Sequence, residues 1–536
     1  MNILLVAFGV LACVLILAVL VRTREQGDVR LLPGPSASVS SWIWGHELLV
    51  FQHAATQMHS IWARSFGALF KIKGALFHPD IASQIVATDH SAVHHIFAHS
   101  DLYVKSPAFR PPIKNLLGKG VLWAEGDDWH RQRRILGHAF STESVKEMTP
   151  AIYECAERLE ARLSNLILLD SAAAEDGTWF NIVPFLSACT LDIIGAVALS
   201  HSFSAQSAQQ NDPHSDTAQI IASWSRHVDV GLRPFAFLAP IVVRAIPAVA
   251  KVPLPLMQSQ GVVKTIVRRI GRKILEREQS AFNMNTSSTG SKKAEICPPQ
   301  GKDIISILLR GGQYGKLTDE QILDNISTFI MVGHETTAAS LAFILWELSR
   351  QPEIQNKLRA EVISSGRDLS YDDIQKLEFL DAVIKEGLRL HPASPQTERV
   401  ALQDDVIPLS TSLPGIGATL QVKKGQVIHI PFTPMHTNVN VWGPSAAVFD
   451  PTRWLRPRDP ASLPHGWSGL LTFCDGPRNC IGWRLALLEM KIILATLVRS
   501  IVFTDTRVHI EEKISPTLQP VVDGKGGDLP LLLKVI

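Results

Sequence analysis

The residues best suited to chemistry lie near the C-terminal end, in Phe473-Cys474-Asp475-Gly476-Pro477-Arg478-Asn479-Cys480-Ile481-Gly482, which has the form F-x-x-G-x-R-x-C-x-G. Cys480 stands in a Gly-rich turn, and the run after it, Trp483 to Ile501, is apolar at helical spacing (Leu485, Leu488, Ile492, Leu497). A thiol at the start of a helix feels the positive end of the macrodipole and several unsatisfied N–H groups. Both favour thiolate over thiol, and a thiolate is a soft, strong donor to iron. Gly476 and Gly482 admit backbone conformations that a side chain forbids. Arg478 can pair with a carboxylate of a bound molecule. A buried structural cysteine is the plain alternative, so the rest of the chain has to decide.

Three further patterns carry possible chemistry. Trp129-His130-Arg131-Gln132-Arg133-Arg134 predicts a helix capped by Asp127 or Asp128. Trp129 and Arg133 then share a face, and an indole N–H beside a guanidinium can clamp a carboxylate. A long helix is predicted from Asp319 to Arg350, with Thr318 and Gln321 as a capping box and Pro352 at its end. It contains Val332-Gly333-His334-Glu335-Thr336-Thr337. Hydroxyl-bearing, β-branched residues after a glycine are poor helix formers, and such breaks of local rules mark function. A Thr bonded back to a carbonyl opens a helical groove, and a carboxylate beside a hydroxyl can relay protons. The helix predicted from Asp381 to Leu390 carries Glu386 and Arg389 on one face, a pair worth little if it is exposed.

The rest of the chain must position these groups. With 52 Lys plus Arg against 50 Asp plus Glu, no global field points to nucleic acid. Six scattered cysteines, without a CxxC or a His cluster at zinc spacing, argue against a disulfide framework or zinc module. Length alone, 536 residues, suggests several domains. Ile3 to Val21 is apolar and uncharged over nineteen residues, enough to span a bilayer. Arg22, Arg24 and Arg30 follow it, which puts the body on the cytoplasmic side; a signal peptide is the alternative. Residues 1–21 are thus read as a transmembrane anchor and residues 22–40, with Leu32-Pro33-Gly34-Pro35, as a basic Pro/Gly hinge. A helix and a short strand pair are predicted between Ala54 and Gln84. The proline- and glycine-rich residues 101–122 predict an irregular binding loop. Pro234 to Leu256 is apolar but too proline-broken for one helix. Residues 283–300 predict a disordered surface loop. The segment after His391-Pro392 is β-rich, and the tail, Thr517 to Ile536, predicts a hairpin around Asp523-Gly524-Lys525-Gly526.

Together, in this order, the Trp-x-x-x-Arg, Gly-x-Glu-Thr-Thr, Glu-x-x-Arg and Cys-loop patterns resemble the cytochrome P450 superfamily, in its membrane-anchored eukaryotic form and with a fungal cast. The resemblance covers essentially the whole chain. It implies a mainly α fold: one large helical body with a smaller β-rich subdomain over residues 41–536, plus the N-terminal transmembrane helix. It implies haem b as cofactor, with Cys480 as axial iron ligand and Phe473 shielding the sulfur. Arg478, Trp129, Arg133 and Arg399 match contacts to the haem propionates. Glu386 and Arg389, with Arg453 from the coil before the Cys loop, match a structural trio that locks the core. Thr336 and Glu335 match the proton-relay pair, with Thr337 a weaker candidate. Val332 stands where Ala or Gly is commoner, and Asp450-Pro451-Thr452-Arg453-Trp454 replaces the commoner Pro-Glu-Arg-Phe.

The implied reaction inserts one oxygen atom from O2 into a hydrophobic small molecule, for which a terpenoid of secondary metabolism is the expectation. Electrons then come from NADPH through a separate reductase in the endoplasmic reticulum membrane, with cytochrome b5 as a second donor. A basic face (Arg131, Arg134, Arg484) is suited to docking an acidic partner. An O2-independent isomerase or dehydratase often lacks the acid–Thr pair, which is present here. A non-catalytic haem sensor needs no proton relay.

Overall fold

The computed structural model describes residues 27–41, 44–74, 83–107, 109–170, 177–207, 215–237, 255–287, 304–457 and 465–536. Helices dominate it. Those that position the site are α1 (His90–Ala98), α2 (Arg110–Leu117), α3 (Gly126–Gly137), α4 (Thr149–Leu169), α5 (Val183–Leu199), α6 (Asp319–Arg350), α7 (Glu378–Leu390) and α8 (Trp483–Ser500). The capping box at the start of α6 forms as expected: Gln321 N donates to Thr318 Oγ1 at 3.2 Å and Thr318 N to Gln321 Oε1 at 3.1 Å. α6 is apolar almost all round, as a helix in the middle of a large core must be. By length and composition it could cross a membrane, but it is 83% buried over its most apolar window. Its main neighbour is α5. The two approach closely at Gly333, where a Cβ would lie 2.8 Å from Ile194 Cδ1.

The β structure gathers to one side. A five-stranded sheet has the order β1 (Leu69–Lys73), β2 (Ser83–Ala87), β8 (Val427–Pro431), β5 (Gln396–Ala401), β3 (Tyr103–Lys105). Only β2 and β8 run parallel; the other neighbours are antiparallel. β6 (Asp405–Leu413) and β7 (Gly417–Val422) form a hairpin. Its apolar side closes a second core with α1 and the five-stranded sheet, through Ile407, Leu420, Ile96 and Ile428. β10 (Glu511–Ile514), β11 (Leu518–Val522) and β12 (Lys525–Gly526) form a third sheet. β4 (Thr178–Asn181), β13 (Pro530–Val535) and β9 (Ile501–Asp505) form a fourth.

Several expectations need correction. Residues 101–122 are not an irregular loop, since they hold β3 and α2. Pro111 and Pro112 fall in the first turn of α2, where a missing N–H costs no hydrogen bond. The cap of α3 is Glu125, two or three residues before the aspartates expected to fill that role. The tail does turn at Asp523-Gly524, but β13 leaves that hairpin to pair with β9 and β4. The helix Pro255–Ser287 runs into the stretch expected to be disordered, and residues 288–300 lie outside the described residues, as do 1–21 and 238–254. Residues 27–35 lie against the sheets: Lys71 N donates to Pro33 O and Gln421 N to Asp28 Oδ2, both at 2.8 Å.

His391, just past α7, ties three elements together. Its ring stacks on Phe343 with centroids 4.9 Å apart, and its two nitrogens reach Glu347 and Glu512, each at 3.1 Å. Burial alone would depress its pKa, but the two carboxylates win and hold it at about 9 against an ordinary 6.5. The folded pKa is the higher one, so this contribution is complete below pH 6.5 and disappears as pH rises through about 9. Urea unfolding at pH 6.5 and at pH 9.5 tests it. The wild-type chain should lose on the order of 2 kcal/mol between the two beyond any loss in a His391→Gln variant. Equal losses would remove His391 as the cause.

Candidate active site

The Cys loop is built by backbone bonds. Cys480 N donates to Phe473 O at 2.8 Å, Cys474 N to Leu471 O at 2.7 Å and Asn479 N to Gly476 O at 3.2 Å. Gly476 has φ +67°, and a Cβ there would meet the Phe97 carbonyl oxygen at 2.3 Å, so only glycine fits. Gly482 is different: φ is −94°, in the ordinary region, and it is simply the N-cap of α8. Phe473 is buried and meets Trp467 edge to face at 5.3 Å. Protein surrounds Cys480 on all sides, yet its side chain stays accessible, so it lines an internal space rather than the outer surface. Burial pushes the thiol up to about 11, against the pull of the Gly482 N–H and of Arg133. The helix terminus therefore does not make a thiolate by itself. A metal cation in the proton's place does.

The loop is held from behind by a buried ionic network. Glu386 accepts from Arg389 Nε and Nη2 at 2.9 and 2.8 Å, from Arg453 Nε at 2.8 Å, from Trp454 Nε1 at 2.9 Å and from Asp450 N at 2.8 Å. All three charged side chains are essentially inaccessible. Arg389 Nη1 also donates to His436 O at 2.7 Å. His436 Nδ1 lies 3.0 Å from Arg389 O, and its Nε2 accepts from Leu471 N at 2.8 Å. Burial holds this imidazole neutral, with a pKa of about 3. One neutral ring thus couples the charge network to the first residues of the Cys loop. His436 was not singled out from sequence; its isolated place in a β-rich stretch offers no spacing signal.

Cations collect at the loop's other side. Arg133 donates from Nη1 to Asn479 O at 2.9 Å and from Nη2 to Asn479 Oδ1 at 2.7 Å, which clips α3 to the residue before Cys480. Trp129 lies buried beneath Arg478, whose guanidinium sits 4.4 Å from the ring centroid. The two α3 residues share a face as expected but hold different partners. Arg478 pairs with Glu125 and donates to Ala124 O at 2.8 Å. Its buried Nε finds no hydrogen-bond partner among the described residues. Lys105 of β3 lies directly opposite Arg399 of β5, an arrangement of like charges that costs stability. Lys105 reaches Glu125 at 3.4 Å, and Arg399 is buried against Thr397 Oγ1 at 2.5 Å. Burial, reinforced by Arg478, brings the Lys105 amine down to about 7; burial also brings Arg478 to about 10. Lys105 escaped notice in the sequence because its strand was read as loop.

On α6, every residue from Ile322 to Leu345 is buried except Val332, Gly333 and Thr336. In an interior packed this densely, side chains left accessible on a core helix face a ligand space. Thr336 Oγ1 donates to Val332 O at 2.9 Å, the back-bond expected of it. Glu335 turns the other way and accepts from Gln519 Nε2 of β11 at 2.7 Å. Thr337 is buried and hydrogen-bonds Glu489 of α8, a carboxyl that burial raises to about 8. Gln519 and Glu489 carry no motif and were missed. Phe140 bridges the two halves of the site: its ring is 5.6 Å from Phe329 of α6, and it faces Gly482, where a Cβ would lie 3.5 Å from it.

The model of the family "Cytochrome P450" matches residues 35–518. The chain belongs to the cytochrome P450 family. Among curated relatives, Cytochrome P450 monooxygenase 205 of Postia placenta is 30% identical over 96% of this chain and 94% of its own length. Cytochrome P450 monooxygenase claQ of Ampulloclitocybe clavipes is 29% identical over 89% of this chain and 88% of its own. Ganoderic acid synthetase CYP5150L8 of Ganoderma lucidum is 30% identical over 81% of this chain and 82% of its own. This P450 is therefore a monooxygenase, with fungal relatives.

Membership implies a haem iron cofactor, and the residues present fit one. The donor set offers one accessible internal thiol. Near it, the cations Lys105, Arg399 and Arg478 crowd around Glu125, and among the described residues Arg478 Nε has no hydrogen-bond partner. That imbalance suits a flat group carrying an iron and two carboxylates.

The Glu386 network makes a sharp prediction for the P450. Glu386→Gln leaves two buried guanidiniums without an anion and should cost about 3–5 kcal/mol. Urea unfolding of the purified chain reads the change. A midpoint equal to that of wild type would mean that the trio carries no structural load.

Proposed function

We propose that this P450 inserts one oxygen atom from O2 into a hydrophobic small molecule of secondary metabolism, of the terpenoid class. In this reading electrons come from NADPH through a separate reductase, with cytochrome b5 as a second donor. Residues 1–21 anchor the chain in the endoplasmic reticulum membrane, and residues 41–536 form the cytoplasmic catalytic body. The name of one relative, ganoderic acid synthetase, supports the biosynthetic setting. The observation that carries the reading is the accessible Val332–Gly333–Thr336 face within the otherwise buried stretch Ile322 to Leu345 of α6, with an acid beside it.

Haem bound at Cys480 supplies the iron on which O2 is activated, and a thiolate ligand favours O–O cleavage. Cys480 serves by giving up its proton and holding the metal. Phe473, Trp467 and the backbone donor at Gly482 keep water away from the sulfur and steady it. Arg478 and Arg399, with Lys105 beside them, would hold the propionates, and Trp129 and Arg133 would complete that side from the α3 face. Thr336 has its proton committed to Val332 O, so its oxygen is free to accept from a water and hold it in place. Glu335 is the proton source behind that water. It must exchange Gln519 for water in order to act. Val332 narrows the space beside Thr336 and so shapes which part of the substrate approaches.

Arg131 of the expected docking face is tied to Asp128, and Arg484 lies 4.2 Å over the Trp483 ring. Arg484 keeps its charge for an acidic electron donor, whereas Asp128 offsets that of Arg131.

Two variants test the roles. Cys480→Ala should abolish the thiolate-type absorbance of the ferrous carbon monoxide complex; an unchanged spectrum overturns the ligand assignment. Thr336→Ala should keep haem but cut product per NADPH consumed by roughly ten-fold, the balance appearing as hydrogen peroxide. Tightly coupled turnover in that variant would refute the relay. With reductase present, no NADPH consumption on any hydrophobic substrate would defeat the monooxygenation reading as a whole.

A further inference from the structure

Outside the haem-facing side, the Cys loop carries a second group of ligating side chains. His94 of α1, His465 and Asp475 each offer one ligand atom, and these atoms all lie within 4.8 Å of one another. His94 Nδ1 is 2.9 Å from Asp475 Oδ2. The rings of His94 and His465 stack with centroids 3.6 Å apart and planes 19° from parallel. One turn earlier on α1, His90 has both ring nitrogens buried and without a hydrogen-bond partner among the described residues. It lies near enough to His465 for the two rings to interact electrostatically. Neither the oxygenation chemistry nor the family assignment uses any of these residues.

We infer that His94, His465 and Asp475 form a binding site for one divalent transition-metal ion, taken here as Zn2+, that ties the Cys loop to α1. Two imidazoles and one carboxylate are a donor set that zinc accepts. Metal–ligand bonds of about 2.0–2.2 Å put the ligands of a tetrahedral ion roughly 3.4 Å apart. His465 is exposed and closes the remaining distance by turning. The fourth position goes to water. Asp475 falls between Cys474 and Gly476, five residues before Cys480. An ion there would clamp three segments: α1, the chain entering the loop at His465, and the loop itself.

The experiment uses the untagged, haem-loaded full chain, stripped with chelator and desalted. Calorimetric titration with ZnCl2 should show one saturable site per chain. His465→Ala should weaken it by at least ~10-fold, and His94→Ala combined with His465→Ala should remove it, while haem content stays at the wild-type level. Zinc X-ray absorption on the wild-type protein should show only nitrogen and oxygen neighbours at about 2.0–2.2 Å. Absence of a saturable site, unchanged affinity in the double variant, or a sulfur neighbour near 2.3 Å would each overturn the assignment.

Discussion

The constraint on which the rest of the site depends is the burial of one carboxylate. Glu386 is wholly inaccessible. A charge in that setting survives only if every lone pair is met. Meeting them takes two guanidiniums, an indole N–H and a backbone N–H, contributed by the end of α7 and by the coil around Arg453. Those guanidiniums spend their remaining donors on carbonyls of His436, Trp442, Ser445, Ala446 and Val448. The coil before the Cys loop is thus stitched to α7 without needing regular secondary structure. His436 and Thr472 extend the stitching, the latter by donating to Leu388 O at 2.8 Å. The thiol's position is inherited from the satisfaction of a charge in a distant part of the chain.

Where a residue's role follows from local chemistry, the sequence was a good guide. The Thr318–Gln321 box and the extent of α6 could be read from cap and periodicity, and the Thr336 back-bond from its β-branched hydroxyl in mid-helix. The Cys turn could be read because glycine at 476 has one physical reason to be there. What escaped depends on contacts between distant segments. Lys105 matters only because β3 lies beside β5. Gln519 matters only because β11 comes up against α6. Glu489 reads as a surface charge on an apolar helix until the packing buries it. Two prolines at the start of α2 were mistaken for loop markers, although at a helix start they fit as well.

Burial also reversed one chemical expectation. Dipole and N–H groups at the start of α8 favour a charged sulfur, yet desolvation outweighs them in this structure. The same competition acts on the cation group, where burial and mutual repulsion lower Lys105 and Arg478. Thiol and cations are each in a state that one ligand can relieve: a metal for the first, carboxylates for the others. Stability of the ligand-free chain and affinity for the cofactor are therefore opposed at this site.

The partners of the site come from far apart in the chain. Arg133 grips a residue 346 positions later, and Glu335 is held by one 184 positions later. During synthesis α3 and α6 are made long before the segments that complete them. The groups that meet Arg133 and Glu335, Asn479 and Gln519, emerge only near the C-terminal end of the chain. Folding of this body is then a late event dominated by long-range closure, slow by its topology, and dependent on the nascent chain being kept from aggregating until its C-terminal strands arrive.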